Sequence, residues 1–494
     1  MNNDNPQLET NQESILKQAK VQKKRSNKKI ILIILGIAVL LLALFAAYMQ
    51  LSGGKRENDM KTTATSKGGN SADTNGLVSA MPLECVPRGH DYYRTENTLL
   101  VDPENPATVY VGVEYKGVFK STDGGKSWKQ SDKGIRGYAK ESAPKEKCIQ
   151  EMGRMIVDPK DNKHLLLTRV ESPGDLSTLF SENAGVWESF NAGASWSQMI
   201  KPGMNASGSR AIAFDPNDSS VVYHGTNQMH PSYTDGNGQA VNKKYFNKAG
   251  ILYKTSNGGK NWAELPTGAS PGFRTINVAV DPKDSKKLWL FTFTASENGQ
   301  PVPEEKQKAV LLTSDGGKSW TSYSDKLPSG YRALTDGILS PVDGNNAFVS
   351  TMTTTSAPKS FVTTDGAKTW TQSNEYILVA NYDTNDSSGH TLLGYAPYSS
   401  KPGIYQSVDG GKNWSFYSAL PKEVDGQGNF GVRVASFAWT KADKNVVYMS
   451  GSGGYVWKST DAGKTWTTVM TLNKIGGPNK NKDGSTKSRE QDPN

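Results

Sequence analysis

Two apolar patterns divide the chain. From Ile30 to Tyr48 the residues are uncharged and almost wholly apolar, a stretch long enough for an α-helix to cross a hydrocarbon core about 30 Å thick. From Thr98 onward the pattern becomes one of short β-rich runs, such as Thr98 to Asp102 (TLLVD), Val109 to Val113 (VYVGV) and Gly117 to Ser121 (GVFKS). Clusters of Pro, Gly, Asn and Asp separate these runs, which predicts consecutive antiparallel strands. The first run recurs as Met155 to Pro159, Ala211 to Pro216 and Asn277 to Pro282, and more loosely as Gly337 to Pro341 and Ala435 to Trp439.

Each unit also carries an octapeptide, Ser/Thr-x-Asp/Asn-x-Gly-x-x-Trp. It starts at Ser121, Ser189, Thr255, Thr313, Thr363, Ser407 and Ser459, at spacings of 68, 66, 58, 50, 44 and 52 residues. The pattern predicts a tight turn. The side chains Asp123, Asn191, Asn257, Asp315, Asp365, Asp409 and Asp461 accept bonds from their own backbone, and Gly supplies positive φ. Trp128, Trp196, Trp262, Trp320, Trp370, Trp414 and Trp466 leave the turn as the first large apolar residue of the next strand, and are expected to pack in the core. The fifth copy has Ala367 in place of Gly, so a looser turn is expected there. Four strands in each of seven repeats predict an all-β fold, a seven-bladed β-propeller of four-stranded antiparallel blades. The run Leu77 to Met81 is expected to lend a strand to the last blade.

The flanks of the apolar run give it a direction. Lys17, Lys20, Lys23, Lys24, Arg25, Lys28 and Lys29 precede it and mixed charges follow, so the positive-inside rule keeps the amino terminus in the cytoplasm and puts the repeats outside. A cleaved signal peptide is the competing reading, but the stretch is long and no small-x-small pattern follows it. The expected organisation is a basic cytoplasmic segment over 1–29, a transmembrane signal-anchor helix over 30–48, a flexible linker over 49–77, the propeller over 78–470 and a disordered tail over 471–494. The expected location is therefore the cell membrane, single-pass, with the propeller extracellular. Cys85 and Cys148 are the only thiols, and an exported location permits them to pair.

Lys and Arg outnumber Asp and Glu by 57 to 48. Most of the excess lies in the first 75 residues and the tail, so the repeat region is nearly neutral and a nucleic-acid partner loses its support. His90, His164, His224, His230 and His390 have no zinc spacing, and the Gly-Gly pairs belong to the octapeptides rather than to a phosphate loop. No metal or cofactor is expected.

The octapeptide resembles the Asp-box of the bacterial neuraminidase repeat superfamily. The unit VDP-x-x-P…VY-x-G…GVFKSTDGGKSW is similar to its sortilin-like, xyloglucanase-like and photosystem-assembly-factor-like propellers. The resemblance covers roughly Thr98 to Met470 and implies a peripheral structural turn common to enzymes and non-enzymes. Sialidases of the superfamily begin their first blade with Phe/Tyr-Arg-Ile-Pro. Here the stretch reads Tyr93-Arg94-Thr95-Glu96, so only the aromatic residue and the Arg match.

If the octapeptide joins the third and fourth strands, the longer insertions over 171–184, 228–249 and 295–308, with the 130–153 connector, emerge on the opposite face. That elaborated face is the expected seat of function. Arg94, Arg154, Arg210, Arg274, Arg332 and Arg433 stand at or just before the start of six first strands, where guanidinium forks suit carboxylate, sulfate or phosphate. Their offsets from the following turn vary, so a role in ion pairs with loop carboxylates such as Glu96, Glu151 or Asp336 stays open beside ligand binding. Tyr92, Tyr93, Tyr233 and Tyr245 are the candidate aromatic contacts. Two functions follow. One is a membrane-anchored binding module for a glycan, an anionic polymer or an extracytoplasmic protein. The other is a cell-surface glycoside hydrolase, sialidase-like or xyloglucanase-like, for which Glu96, Asp235 and Asp336 are the acids to test.

Overall fold

The computed structural model describes residues 98–472 together with Leu77–Val78, except for 114–115, 136–137, 141–142, 149–151, 170–184, 200–207, 227–250, 269–272, 295, 298–299, 353–356, 425–431 and 453. The chain divides into two compact units, Met1–Ala72 and Asp73–Asn494, and every described residue belongs to the second. Among the described residues no helix is long and apolar enough to cross a membrane. The apolar run from Ile30 to Tyr48 lies outside them, as do Cys85 and the side chain of Cys148.

Seven blade sheets follow one another along the chain, six of four strands and the last of five, and each keeps its own four blade strands in sequence order. Blade 1 consists of Leu100–Val101, Val109–Val113, Gly117–Ser121 and Lys129–Gln130. Blades 2 to 7 begin with the first strands Met152–Asp158, Gly208–Asp215, Phe273–Val280, Ala333–Leu339, Val379–Tyr382 and Val434–Trp439. Neighbouring strands within each blade pair antiparallel. Each first strand packs against the first strand of the next blade, and that of blade 7 packs against that of blade 1, so the ring closes. The expected extra strand is present. Leu77–Val78 pair in parallel with Thr471 and Leu472 on the outer edge of blade 7, whose last strand is Thr467–Leu472.

The core consists of seven seams between blades. Middle strands are buried on both faces because successive side chains serve different neighbours. In blade 1, Val109, Val111 and Val113 join Val446, Tyr448 and Met470 of blade 7. Tyr110 and Val118 face the other way and join Leu165, Leu167 and Trp187 of blade 2. Full burial of one such side chain contributes about 1.5–3 kcal/mol, whereas an exposed pair such as Lys326 and Asp325 at 3.1 Å contributes about 0–1 kcal/mol. The seams therefore dominate stability.

The octapeptide turns have one geometry. In blade 1, Ser121 Oγ accepts from the Gly125 amide at 2.8 Å and donates to Asp123 Oδ1 at 2.8 Å, and Asp123 Oδ1 also accepts from the Ser127 amide at 2.9 Å. The fourth and fifth residues have positive φ in all seven copies. The fifth also touches the preceding blade: a Cβ on Gly317 would lie 2.7 Å from Leu265, and one on Gly411 2.8 Å from Phe348. Ala367 does not loosen its turn. It takes φ 68°, its amide reaches Thr363 Oγ1 at 3.1 Å, and its methyl is fully buried in the seam with blade 4. The Trp residues pack into the seam with the preceding blade as expected, Trp196 and Trp414 most deeply. Trp128 and Trp196 also donate across the seam, to the carbonyls of Val469 at 2.9 Å and Ser131 at 2.7 Å.

Candidate functional site

The octapeptides and the turns after the first strands share one face, and the connections from second to third strand and from blade to blade share the other. Two additional hairpins arise on that second face, Tyr138–Lys140 with Ala143–Cys148, and Ser296–Glu297 with Gln300–Pro301. The insertions over 171–184 and 228–249 lie outside the described residues, so the elaborated face is described only in part.

First strands carry a register irregularity near this face in blades 2, 3, 4, 5 and 7. Examples are the steps between Met152 and Met155, between Thr275 and Asn277 and between Leu334 and Asp336. Such bulges re-aim side chains. Four residues before the end-of-strand residues Asp102, Asp158, Asp215, Asp281, Ser340, Asp383 and Thr440 stand Thr98, Arg154, Ala211, Asn277, Asp336, Val379 and Ser436. At this level Arg154 of blade 2 reaches beyond blade 3, which offers only Ala211, and donates from Nη1 to Asn277 Oδ1 of blade 4 at 2.5 Å. Asn277 in turn donates to the Gly337 carbonyl of blade 5 at 2.9 Å. Burial lowers the pKa of the Arg154 guanidinium, and the Asp336 carboxylate opposes that shift. Arginine remains charged regardless. The centre thus holds a fixed cation, an amide that orients it and a carboxylate within electrostatic reach.

The other predicted residues are dispersed. Arg332 donates to the Glu304 carbonyl at 3.0 Å and pairs with Glu304 Oε1 at 3.8 Å, and Glu304 also accepts from Ser329. Arg332, just before the first strand of blade 5, therefore anchors the loop between the second and third strands of blade 4. The Arg433 amide donates to Ser452 Oγ at 2.8 Å. For Arg210 and Arg274 only the backbone is described, in the first strands of blades 3 and 4. Arg94, Tyr92, Tyr93, Tyr233, Tyr245, Glu96 and Asp235 lie outside the described residues. Of the acids named from sequence, Asp336 is the one described, and its Oδ1 accepts from the Gly337 amide at 2.8 Å.

Residues that sequence reasoning passed over complete the described part of the site. Asn277 is one, and the constant offset from the end-of-strand residue could have found it. Tyr376 and Tyr398 are two more, on the elaborated face between blades 5 and 6. Their rings stack at 6.0 Å and 14°. Burial, with smaller contributions from Tyr398 and Asp336, lifts the Tyr376 phenol to about 12, so it is a neutral donor at physiological pH.

A second ionisable cluster occupies the opposite face. His164 Nδ1 meets Asp158 Oδ2 at 2.8 Å and Nε2 meets Glu188 Oε1 at 2.9 Å. Phe190 stacks on the imidazole at 4.5 Å. The carboxylates flank the ring from opposite sides instead of converging, and among the described residues no group of His, Cys, Asp and Glu is placed to hold a metal ion.

The sequence matches no protein-family model and no curated protein sequence. The fold is similar to the crystal structure of a GH74 xyloglucanase from Xanthomonas campestris, with 15% identity and a TM-score of 0.51 over 75% of this chain and 54% of that one. It is equally similar to an ancestral GH74 enzyme, with 14% identity and a TM-score of 0.51 over 80% and 50%. The chain spans about half the length of these two structures. A structure of YCF48 bound to D1 peptide matches with 15% identity and a TM-score of 0.41 over 64% of this chain and 81% of that one.

Proposed function

We propose that this is a membrane-tethered extracytoplasmic propeller whose elaborated face binds a glycan, another anionic polymer or a protein partner. The observation that carries this reading is the Arg154 guanidinium. Asn277 Oδ1 accepts from its Nη1 and fixes it at the centre. A preoriented fork of this kind suits a carboxylate or sulfate. Arg210 and Arg274 begin first strands on the same side and would add positive potential.

Calorimetry of the full-length protein with polygalacturonate, an acidic glycan, tests the reading. Arg154→Gln is expected to weaken binding at least about tenfold and to leave the thermal midpoint nearly unchanged. A lowered midpoint with undiminished binding would instead make Arg154 a strut between blades. The hydrolase reading draws on Asp336, a carboxylate within electrostatic reach of that cation. Turnover of chromogenic glycosides that Asp336→Asn abolishes would replace binding with catalysis.

A further inference from the structure

Four large apolar side chains stand exposed among the described residues: Phe190 at 64%, Met352 at 44%, Tyr398 at 67% and Val408 at 69%. Phe190 and Val408 are the second residues of their octapeptides, where the turn itself puts them outside. Tyr398 has no such origin. It lies between the second and third strands of blade 6 on the elaborated face, with its ring on Tyr376.

The loop that presents Tyr398 is held from several directions. Ser399 Oγ lies 3.0 Å from Glu375 Oε2 and 2.6 Å from Tyr405 Oη, which lies 3.0 Å from the Lys401 carbonyl, so the two hydroxyl protons are shared along a chain of polar contacts. The Lys401 ammonium stands 3.5 Å from the centre of the Phe416 ring. An exposed aromatic face fixed in this way costs little further ordering when it is covered. The Glu375 carboxylate, next in the chain to Tyr376 and in contact with Ser399 beside Tyr398, puts an acceptor near the platform.

We infer that Tyr398, backed by Tyr376, is the stacking platform for one pyranose ring of a neutral oligosaccharide. A pyranose has a flat C–H face and a rim of hydroxyl donors, and the platform offers an aromatic face and acceptors to match. The neighbouring ammonium of Lys401 disfavours a cationic ligand. A peptide that adds a strand would need a free sheet edge, whereas Tyr398 sits in a loop between two inner strands of its blade. The inference rests on the elaborated face being the binding face.

Saturation-transfer NMR and calorimetry of the full-length protein with cellohexaose, maltohexaose and chitohexaose test it. At least one hexasaccharide is expected to bind. Tyr398→Ala should weaken it about tenfold or more and Tyr398→Phe less than about twofold, with unchanged thermal midpoints because the side chain is exposed. Equal affinity of Tyr398→Ala and the parent overturns the inference, and so does Tyr398-dependent binding of a proline-rich peptide in place of sugar. If polygalacturonate binds through Arg154 while no hexasaccharide binds, the platform falls and the binding face stands. If no glycan binds at all, both fall.

Discussion

His164 is a single side chain whose environment predetermines its charge. Burial pulls its pKa down, but hydrogen bonds and charge from Glu188 and Asp158 outweigh that and hold it above the ordinary value. A group with a raised native pKa adds stability that is complete below the unfolded value, about 6.5 for His, and is lost as pH rises through the native value. Asp158 has the opposite sign. Burial raises its pKa, yet bonds from Ser219, the Lys160 amide and His164 outweigh this and leave it lowered, so its contribution is lost only in acid. We expect the denaturation midpoint to fall as pH rises above about 6.5. His164→Gln should remove that slope and cost about 3 kcal/mol at pH 6; a slope retained in the variant would refute the assignment. Sequence spacing gives the histidines no zinc pattern. It could not show that residues at 158, 164 and 188 meet, because that contact depends on strand register. The same limit hid Asn277. A search by residue type picks out six arginines, whereas the shared level in the fold is a position, occupied by arginine in one blade, asparagine in another and aspartate in a third.

Among the elements, the octapeptide turn was the most legible, because its residue types dictate its hydrogen bonds and its positive φ. The three described non-glycine residues with positive φ, Ala192, Ala367 and Ala462, all belong to these turns. They separate two effects that glycine normally combines. Ala462→Gly should relieve backbone strain and stabilise by about 0.5–1 kcal/mol. Ala367→Gly should gain less or lose, since its methyl is buried in the seam with blade 4. Gly317→Ala should cost more than about 1 kcal/mol, because it combines the strain with a collision on Leu265. Denaturant titration ranks the three, and equal effects at 367 and 462 would refute the packing argument. The first-strand bulges were not legible. An apolar-polar alternation predicts a strand, but a one-residue slip in pairing leaves no mark on composition, and that slip is what turns Arg154 and Asp336 toward the centre. Tyr376 and Tyr398 were missed for a related reason: they lie in short loops outside the repeated motif.

For the whole propeller, seven repeats were enough to predict a wheel, and the packing of every first strand on the next bears that out. The closing seam differs from the other six in joining blades from opposite ends of the repeat region. It holds Val109, Val111 and Val113 against Val446 and Met470, with Tyr448 Oη donating to the Pro106 carbonyl at 2.8 Å and Thr440 Oγ1 to the Asp102 carbonyl at 2.9 Å. Truncation before Val432 removes two seams together and should yield a protease-sensitive, aggregating chain instead of a six-bladed ring. A monomeric, protease-resistant product would show that the blades close without their seventh member. There is also a matter of timing. Blade 1 leaves the ribosome first, yet the partner for one of its apolar faces is translated last, and at about 5–20 residues per second the interval is on the order of tens of seconds. Throughout that interval a row of valines has nothing of its own to rest on, and whatever shields it in the cell becomes a temporary stand-in for the final blade.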